Sequence, residues 1–489
     1  MEEWLLGLLI GLPLFMAAGA MILFSERGLA WGQFFMSLCN LAVASVLLYT
    51  VLYTGPVEAL DSWIHVDALG GYMAWLICLI GAMAAFHSIG YIGHEMDEGA
   101  LTSFQFRWYY AGLHLFLVSM LLVCIVNNIG VLWVALEAST LISALLVAFH
   151  RVGPALEAAW KYLIIGSVGI ALALLGIILL YASVPEHLPR EAFLWTDFLR
   201  HAAGLRSEWL ETAFLFILVG FGTKAGLAPM HFWLPDAHSQ APSPISALLS
   251  AVLLNSALYG ILRMQSLVDI VHPGWAGQIM IVFGLLSLAI TVPFFLVQHD
   301  MKRLLAYSSV EHMGIITLGF GIGGLTATFG ALLHMFNHAI GKSLLFFASG
   351  NIMQRYHSKR MDRIQGLIRT MPLTGPAFLI GSLAIAGSPP FSLFLSEFTI
   401  AAAAFREGHW LAGTLFLACV SVIFAGMAYY VIRMAYGPAS TREIQKRSRL
   451  KAVALLPPLL LIIIFGLYVP PFFAEILYQV ANSFQGGRP

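Results

Sequence analysis

The sequence predicts an all-α integral membrane protein of about 14 transmembrane helices, arranged around two inverted five-helix repeats that each contain a broken helix. Three observations lead there. The chain has 489 residues, of which 60% are hydrophobic and only 10% charged, and its mean hydropathy is +0.85. A water-soluble domain carries about 25% charged residues, so the class is a polytopic membrane protein. Apolar stretches of bilayer-crossing length, about 20 residues each, follow one another along almost the whole chain. Two of them are interrupted by prolines and hold an ionisable residue, which lipid tolerates only where protein or water satisfies the freed groups.

Taken in order, the expected spans fall at 4–24, 30–54, 67–91, 109–127, 129–150, 155–182, 209–235, 243–267, 276–298, 302–322, 325–350, 374–403, 410–436 and 451–475. The first follows Met-Glu-Glu without a basic leader region, and is expected to be a retained helix rather than a cleaved signal. The connections at 183–208 and 351–373 have room for a short surface helix at most. No stretch is left for a soluble catalytic domain, and GIGGL at 321–325 is a helix connection, since no strand precedes it. Cys39, Cys78, Cys124 and Cys419 stand alone in apolar spans, so neither an iron–sulfur nor a zinc site is expected in this chain.

The basic residues are uneven. Loops following the odd-numbered spans carry 16 lysines and arginines, from Arg27 and Arg107 to Arg442, Lys446, Arg447, Arg449 and Lys451, against Arg190, Arg200, Arg206, Arg263, Arg406 and Arg488 on the opposite side. The positive-inside rule then places both termini on the outer face of the cytoplasmic (inner) membrane.

Spans one to three, within 1–108, read as packing helices; Asp67 and His87 lie towards their ends. Span five places Glu137 at mid-membrane, where a carboxylate must be protonated, hydrated or paired with a cation. Span six begins with Glu157 and Lys161 at i,i+4, the spacing of a helix-end ion pair, although Lys161 is also a candidate relay. Span seven holds Lys224 in apolar surroundings, then Pro229 and His231. A Glu137–Lys224 pair would be a titratable switch, with His231 placed to pass protons on. Span eight adds Ser250 and Asn255, which hold water or bridge hydrogen bonds but do not titrate. In span eleven His334, His338 and Lys342 recur at i, i+4 and i+8 on one helical face, with Asn337 beside them. Span twelve breaks at Pro389–Pro390 and then places Glu397 in apolar sequence.

Spans four to eight (109–267) and nine to thirteen (276–436) have nearly equal length, and each set has its broken helix in fourth place. Five is odd, so the copies lie in opposite orientations, the inverted-repeat plan of many transporters. Span fourteen, 451–475, stands outside both copies.

The Glu of VLWVALEAST, the Lys and WLPDAHSQAPSPISALL of span seven, HDMKRLLAYSSVEHMG at 299–314 and LLHMFNHAIGKSLLFFASG at 332–350 together resemble a known family. It is the antiporter-like proton-translocating subunits of respiratory complex I, Mrp sodium/proton antiporters and group 4 [NiFe] hydrogenases, and the resemblance covers about 70–440. SEF after the double proline is similar to the complex I member whose path ends in glutamate, and HSQAPSPISALLSAVLLNSALYGILR leans towards component F of hydrogenase-4. The resemblance implies a Glu137–Lys224 pair and a hydrated axis running through His334, His338 and Lys342 to Glu397. It implies other membrane subunits and a peripheral redox arm as partners, with nickel–iron and iron–sulfur centres on those chains, none here, and no nucleic acid. Asn255 stands where the complex I member has a lysine, and Ser250 lies near a histidine of another member; bound water would have to fill that gap. The chain also lacks the long lateral helix of the terminal complex I subunit. Three competing expectations are a sodium/proton exchange module without a redox partner, a proton-conducting subunit of an inorganic-carbon uptake complex, and a purely structural subunit.

Overall fold

The computed structural model describes residues 3–22, 25–185, 194–438 and 449–486. Arg190, Arg442, Lys446, Arg447 and Arg488, which the loop-charge count uses, lie outside the described residues. The chain begins with α1 (Glu3–Ile22), α2 (Glu26–Thr54), α3 (Ala68–Asp97), α4 (Ser103–Ile125), α5 (Ile129–Val147) and α6 (Gly153–Ala182). A short α7 (Trp195–Arg200) leads into α8 (Ser207–Ala225) and α9 (Trp233–Gln240). Then come α10 (Ser243–Leu248) and α11 (Leu254–Val271), joined by one π-helical turn, Leu249–Leu253. The second half holds α12 (Trp275–Val297), α13 (Met301–Ile322), α14 (Gly324–Tyr356), the one-turn α15 (Leu367–Thr370), α16 (Thr374–Ile385), α17 (Ser392–Arg406) and α18 (Trp410–Tyr436). It ends with α19 (Arg449–Val453), α20 (Leu456–Leu467) and α21 (Pro471–Gly486).

Ten of the described helices are long and apolar enough to cross a membrane. The other four expected spans differ: 207–240 and 374–406 are interrupted, while α13 and α14 are unbroken but polar. Side chains cap several helix starts, as at Ser25, Asp67, Asn128 and Asp300, satisfying backbone N–H groups that have no intrahelical partner. Residues 243–271 and α14 are buried almost throughout, whereas α1, α2, α6, α12, α18 and 449–467 turn apolar faces outwards, as lipid-contacting helices do.

Both breaks form where the prolines predict. α8 stops because Gly226 adopts a left-handed conformation (φ 76°), and Pro229 lacks the N–H that would continue the ladder. The freed groups find partners inside the protein: Ala228 N–H donates to Ser287 Oγ (2.9 Å) and Trp233 Nε1 donates to the Thr223 carbonyl (2.8 Å). α16 stops in the same way at Gly387 (φ 74°), ahead of Pro389 and Pro390. α6 and α8 cross closely, so a Cβ on Gly220 would lie 2.5 Å from the Ala173 nitrogen and the Gly169 carbonyl.

Three features depart from the sequence reading. The helix expected over 451–475 ends at Leu467, and a separate α21 restarts after Pro470, which cannot donate to a continuing ladder. A small antiparallel hairpin, β1 (Val57–Ala59) with β2 (Ile64–Val66), interrupts the all-α pattern and is pinned by a bridge from Ile64 to Val126. Asp67 does more than pack. Arg263 donates to both its oxygens, at 2.5 and 2.7 Å, between the rings of Trp195 and Tyr259, and so ties α3 to α11.

Removing one partner of a buried ion pair leaves an uncompensated charge and costs about 3–5 kcal/mol. R263A is therefore expected to lower the unfolding temperature of the purified protein strongly. The double variant D67A/R263A should recover part of that loss, as read by thermal melts in mild detergent.

Candidate functional site

The site begins at the last turn of α8. Lys224 is 1% exposed, and its ammonium donates to Thr140 Oγ1 on α5 (2.5 Å) and to the Tyr162 hydroxyl on α6 (2.7 Å). The Tyr162 hydroxyl also meets Ser143 Oγ at 2.8 Å. The expected contact between Glu137 and Lys224 is not made. Glu137 sits half-buried one helical turn before Thr140 and accepts from Ser167 Oγ (3.3 Å), leaving its Oε2 without a partner among the described residues. The threonine reaches the ammonium first because it is the neighbour at i+3 on the same face of α5. Glu137 stands one turn from Thr140, so acid and lysine are linked through that threonine rather than in contact.

From Lys224 a column of rings leads inwards. Tyr162 stacks on Trp233 (4.4 Å between centroids), Trp233 lies 6.5 Å from His238, and His238 stacks on Phe346 of α14 (5.2 Å). Both ring nitrogens of His238 are buried without a hydrogen-bond partner among the described residues. His231, expected as the relay, instead lies among Phe232, Phe294 and Tyr307, with both nitrogens unpartnered and no contact to Lys224. His238 sits between the halves, but its position within WLPDAHSQ, between two prolines, reads as part of a turn motif.

Ser250, in the π-helical turn, meets Ser309 Oγ of α13 at 2.7 Å. Asn255 donates to the Ala251 carbonyl and keeps Oδ1 buried and free. On α14, Lys342 donates to Ser308 Oγ (2.6 Å) and to the Leu305 carbonyl (2.7 Å). His338 lies 5.2 Å, ring to ring, from His312 of α13, and both its nitrogens lack partners. His312 Nδ1 is 2.9 Å from His334 Nε2, and His334 Nδ1 is 2.9 Å from Ser396 Oγ on α17. Asn337 braces that end by donating to the Ser392 carbonyl (2.8 Å). Glu397 follows Ser396 and lies against Gly387, where any Cβ would collide with the carboxylate; its Oε1 has no partner. His334, His338 and Lys342 thus share one face, as their spacing predicts, and the second broken helix closes the line.

Lys161 is outside the line. It pairs with Glu157 (2.6 Å) and reaches Asp236 (3.4 Å), which also pairs with Arg303. His87 stacks on Phe347 and meets Asn351, a packing role as expected. Lys302, fully buried, donates to the Ala241 carbonyl, and Lys359 donates to the Ser239 carbonyl, so two lysines cap the C-terminal end of α9. The sequence reading missed Thr140, Tyr162, His238, Glu311 and His312. Glu311 is 2% exposed and His312 fully buried, side by side in the AYSSVEHMG run, where the i,i+1 spacing gives no helical stripe to notice. His312, His334 and Glu397 bring three donor atoms within 4.8 Å of one another. Three of the four ring nitrogens there already hydrogen-bond or face each other, which suits proton relay as the group stands.

A family model described as NADH:quinone oxidoreductase/Mrp antiporter, transmembrane, matches residues 126–424. The chain is 40% identical over 417 residues to the hydrogenase-4 component F homolog of Methylacidiphilum infernorum, covering 85% of this chain and 87% of that one. It is 33% identical over 359 residues to hydrogenase-4 component B of Escherichia coli, covering 71% of this chain but about half, 51%, of that longer protein. Its fold matches a chain of the Mrp complex from Dietzia sp. with a TM-score of 0.88, at 18% identity, over 100% of this chain and 99% of that one. The match at both levels takes in α5, α8, α13, α14 and α17, the helices that carry the buried line. The chain belongs to the NADH:quinone oxidoreductase/Mrp antiporter transmembrane family.

Proposed function

We propose that this chain carries protons across the cytoplasmic membrane as an integral subunit of a multisubunit, redox-driven complex of the hydrogenase-4 kind. One observation carries the reading: ionisable and hydroxyl groups run inside the protein from Lys224 at the first break to Glu397 at the second. So many buried polar groups are costly in a membrane protein and mark ion pathways. In this reading the ten apolar helices and the four polar or interrupted stretches make fourteen spans, 109–267 and 276–436 are inverted copies, and both termini lie on the outer face. Nickel–iron and iron–sulfur centres sit on partner chains in a peripheral arm.

Lys224 holds a proton at the end of α8, with Glu137 setting its affinity from across Thr140. Water joined to the free atoms of His238, Asn255 and His338 bridges the middle, where no charged side chain stands at 250 or 255. Lys342, the His312–His334 pair and Ser396 then lead to Glu397. The energy scale fits: moving one charge through the membrane potential takes about 2.3 kcal/mol per 100 mV, and a pKa shift of one unit on a buried group is worth about 1.4 kcal/mol.

The second reading is a sodium/proton exchange module, which the fold match to an Mrp complex favours. Sodium-independent proton movement by the purified complex excludes it; movement that requires sodium and appears without any metal-bearing partner would replace the redox reading.

A positioned proton donor contributes about 10²–10⁴-fold to transfer. K224A and E397Q are therefore expected to cut proton translocation per turnover at least about tenfold in vesicles holding the intact complex, with uncoupled turnover preserved. Y162F removes one of the two hydroxyls on the ammonium, a hydrogen bond to a charged group worth about 1.5–3 kcal/mol. It is expected to slow translocation less than K224A does, because Thr140 remains; equal loss in both would place the tyrosine itself in the path.

A further inference from the structure

We infer that Glu311 is a second proton-holding carboxylate, set on α13 about one turn from the Lys342 ammonium, and that it gives the second half of the chain its own acid–lysine module. The inference rests on the proton-carrying reading above and adds a site to it.

Glu311 lies on α13 and is 2% exposed. No ion pair within 4.0 Å neutralises it among the described residues. A carboxylate in that position must hold its proton or trade it with a neighbour. The neighbour is in place. Lys342, fully buried on α14, has its ammonium anchored to α13 through Ser308 Oγ (2.6 Å) and the Leu305 carbonyl (2.7 Å). Ser308 precedes Glu311 by three residues, so both lie on one face of α13 and the ammonium is held about one turn from the carboxyl. Lys342 reaches α13 from α14, and α17, which carries Glu397, packs on α13 as well.

The same construction appears in the first half. There Glu137 stands three residues from Thr140, and Thr140 holds the Lys224 ammonium. In each case a hydroxyl one turn from an acid fixes a buried lysine. Each acid-bearing helix is the second of its five-helix set, α5 and α13 respectively.

Glu311 also offers a branch beside the histidine line. The histidine line makes its hydrogen bond to Ser396, and the neighbouring Glu397 keeps Oε1 unpartnered. A proton leaving the Lys342 ammonium protonates the Glu311 carboxylate, giving a neutral amine and a carboxylic acid. The acid then passes its proton, through water, to the Glu397 carboxylate and becomes an anion again. One N–H bond breaks and one O–H bond forms at the end, with no change of oxidation state.

The test uses the intact complex in vesicles with E311Q and E311D, and K224A and E397Q as controls. E311Q is expected to lose at least about tenfold in proton translocation while subunit composition and uncoupled turnover stay intact; E311D should keep part of it. A pH-jump infrared difference spectrum supplies a readout that a purely structural role would not move. The carboxylic-acid band should shift in E311D and vanish in E311Q. Normal pumping by E311Q beside a dead E397Q overturns the inference and leaves the proton reading standing. Normal pumping by K224A and E397Q as well brings down the proton reading itself. Should E311Q fail to assemble, the band decides, and an unchanged band in E311D overturns the assignment.

Discussion

An ammonium cannot stay bare in hydrocarbon, and the architecture around residue 224 answers that constraint. Thr140 and Tyr162 accept hydrogen bonds from the ammonium, Trp233 covers Tyr162, and the broken end of α8 is closed by a tryptophan nitrogen and a serine from α12. Trp233 serves both needs, since its ring covers the tyrosine on the ammonium and its nitrogen bonds the Thr223 carbonyl beside the break. Two liabilities that lipid would punish separately are solved by one cluster of side chains.

The second half repeats the solution with different residues. α14 threads the middle of the protein with its polar face against α13 and α17, and Lys342 is anchored by a serine and a carbonyl instead of a threonine and a tyrosine. Gly387, in the left-handed conformation, makes room for Glu397 where the helix is open. Between the halves the chain offers amide, hydroxyl and imidazole groups without formal charge, and several of their atoms are unbonded and buried. Under the proposed reading, charged ends and a neutral, hydratable middle let the two ends of the path be loaded separately, as coupling to an outside energy source requires.

Much of this was legible in the sequence because membranes leave few options. Runs of about 20 apolar residues give helices, prolines beside a buried charge give breaks, and the His334, His338, Lys342 spacing gives a stripe. What escaped depends on which neighbour gets there first. Glu137 and Lys224 read as a contact, but Thr140, one turn nearer, takes the ammonium. His231 and His238 are equally plausible as letters, and only tertiary packing puts one among phenyl rings and the other between the halves. The run through Tyr468, Val469, Pro470 and Pro471 is apolar enough to pass for one span, although a proline there cannot continue the ladder. The short hairpin at 57–66 is pinned by a bridge from Ile64 to Val126, a long-range pairing that no local pattern announces.

The central claim is that the interior between residues 224 and 397 is wet and continuous. A high-resolution cryo-EM map of the native complex tests it most directly. Ordered water hydrogen-bonded to His238, the Asn255 carbonyl, His338 and Glu397 Oε1, in steps short enough for a proton to hop, is the result expected. Tightly filled apolar packing that isolates Lys224 from Lys342, with no solvent at any of these atoms, would contradict it.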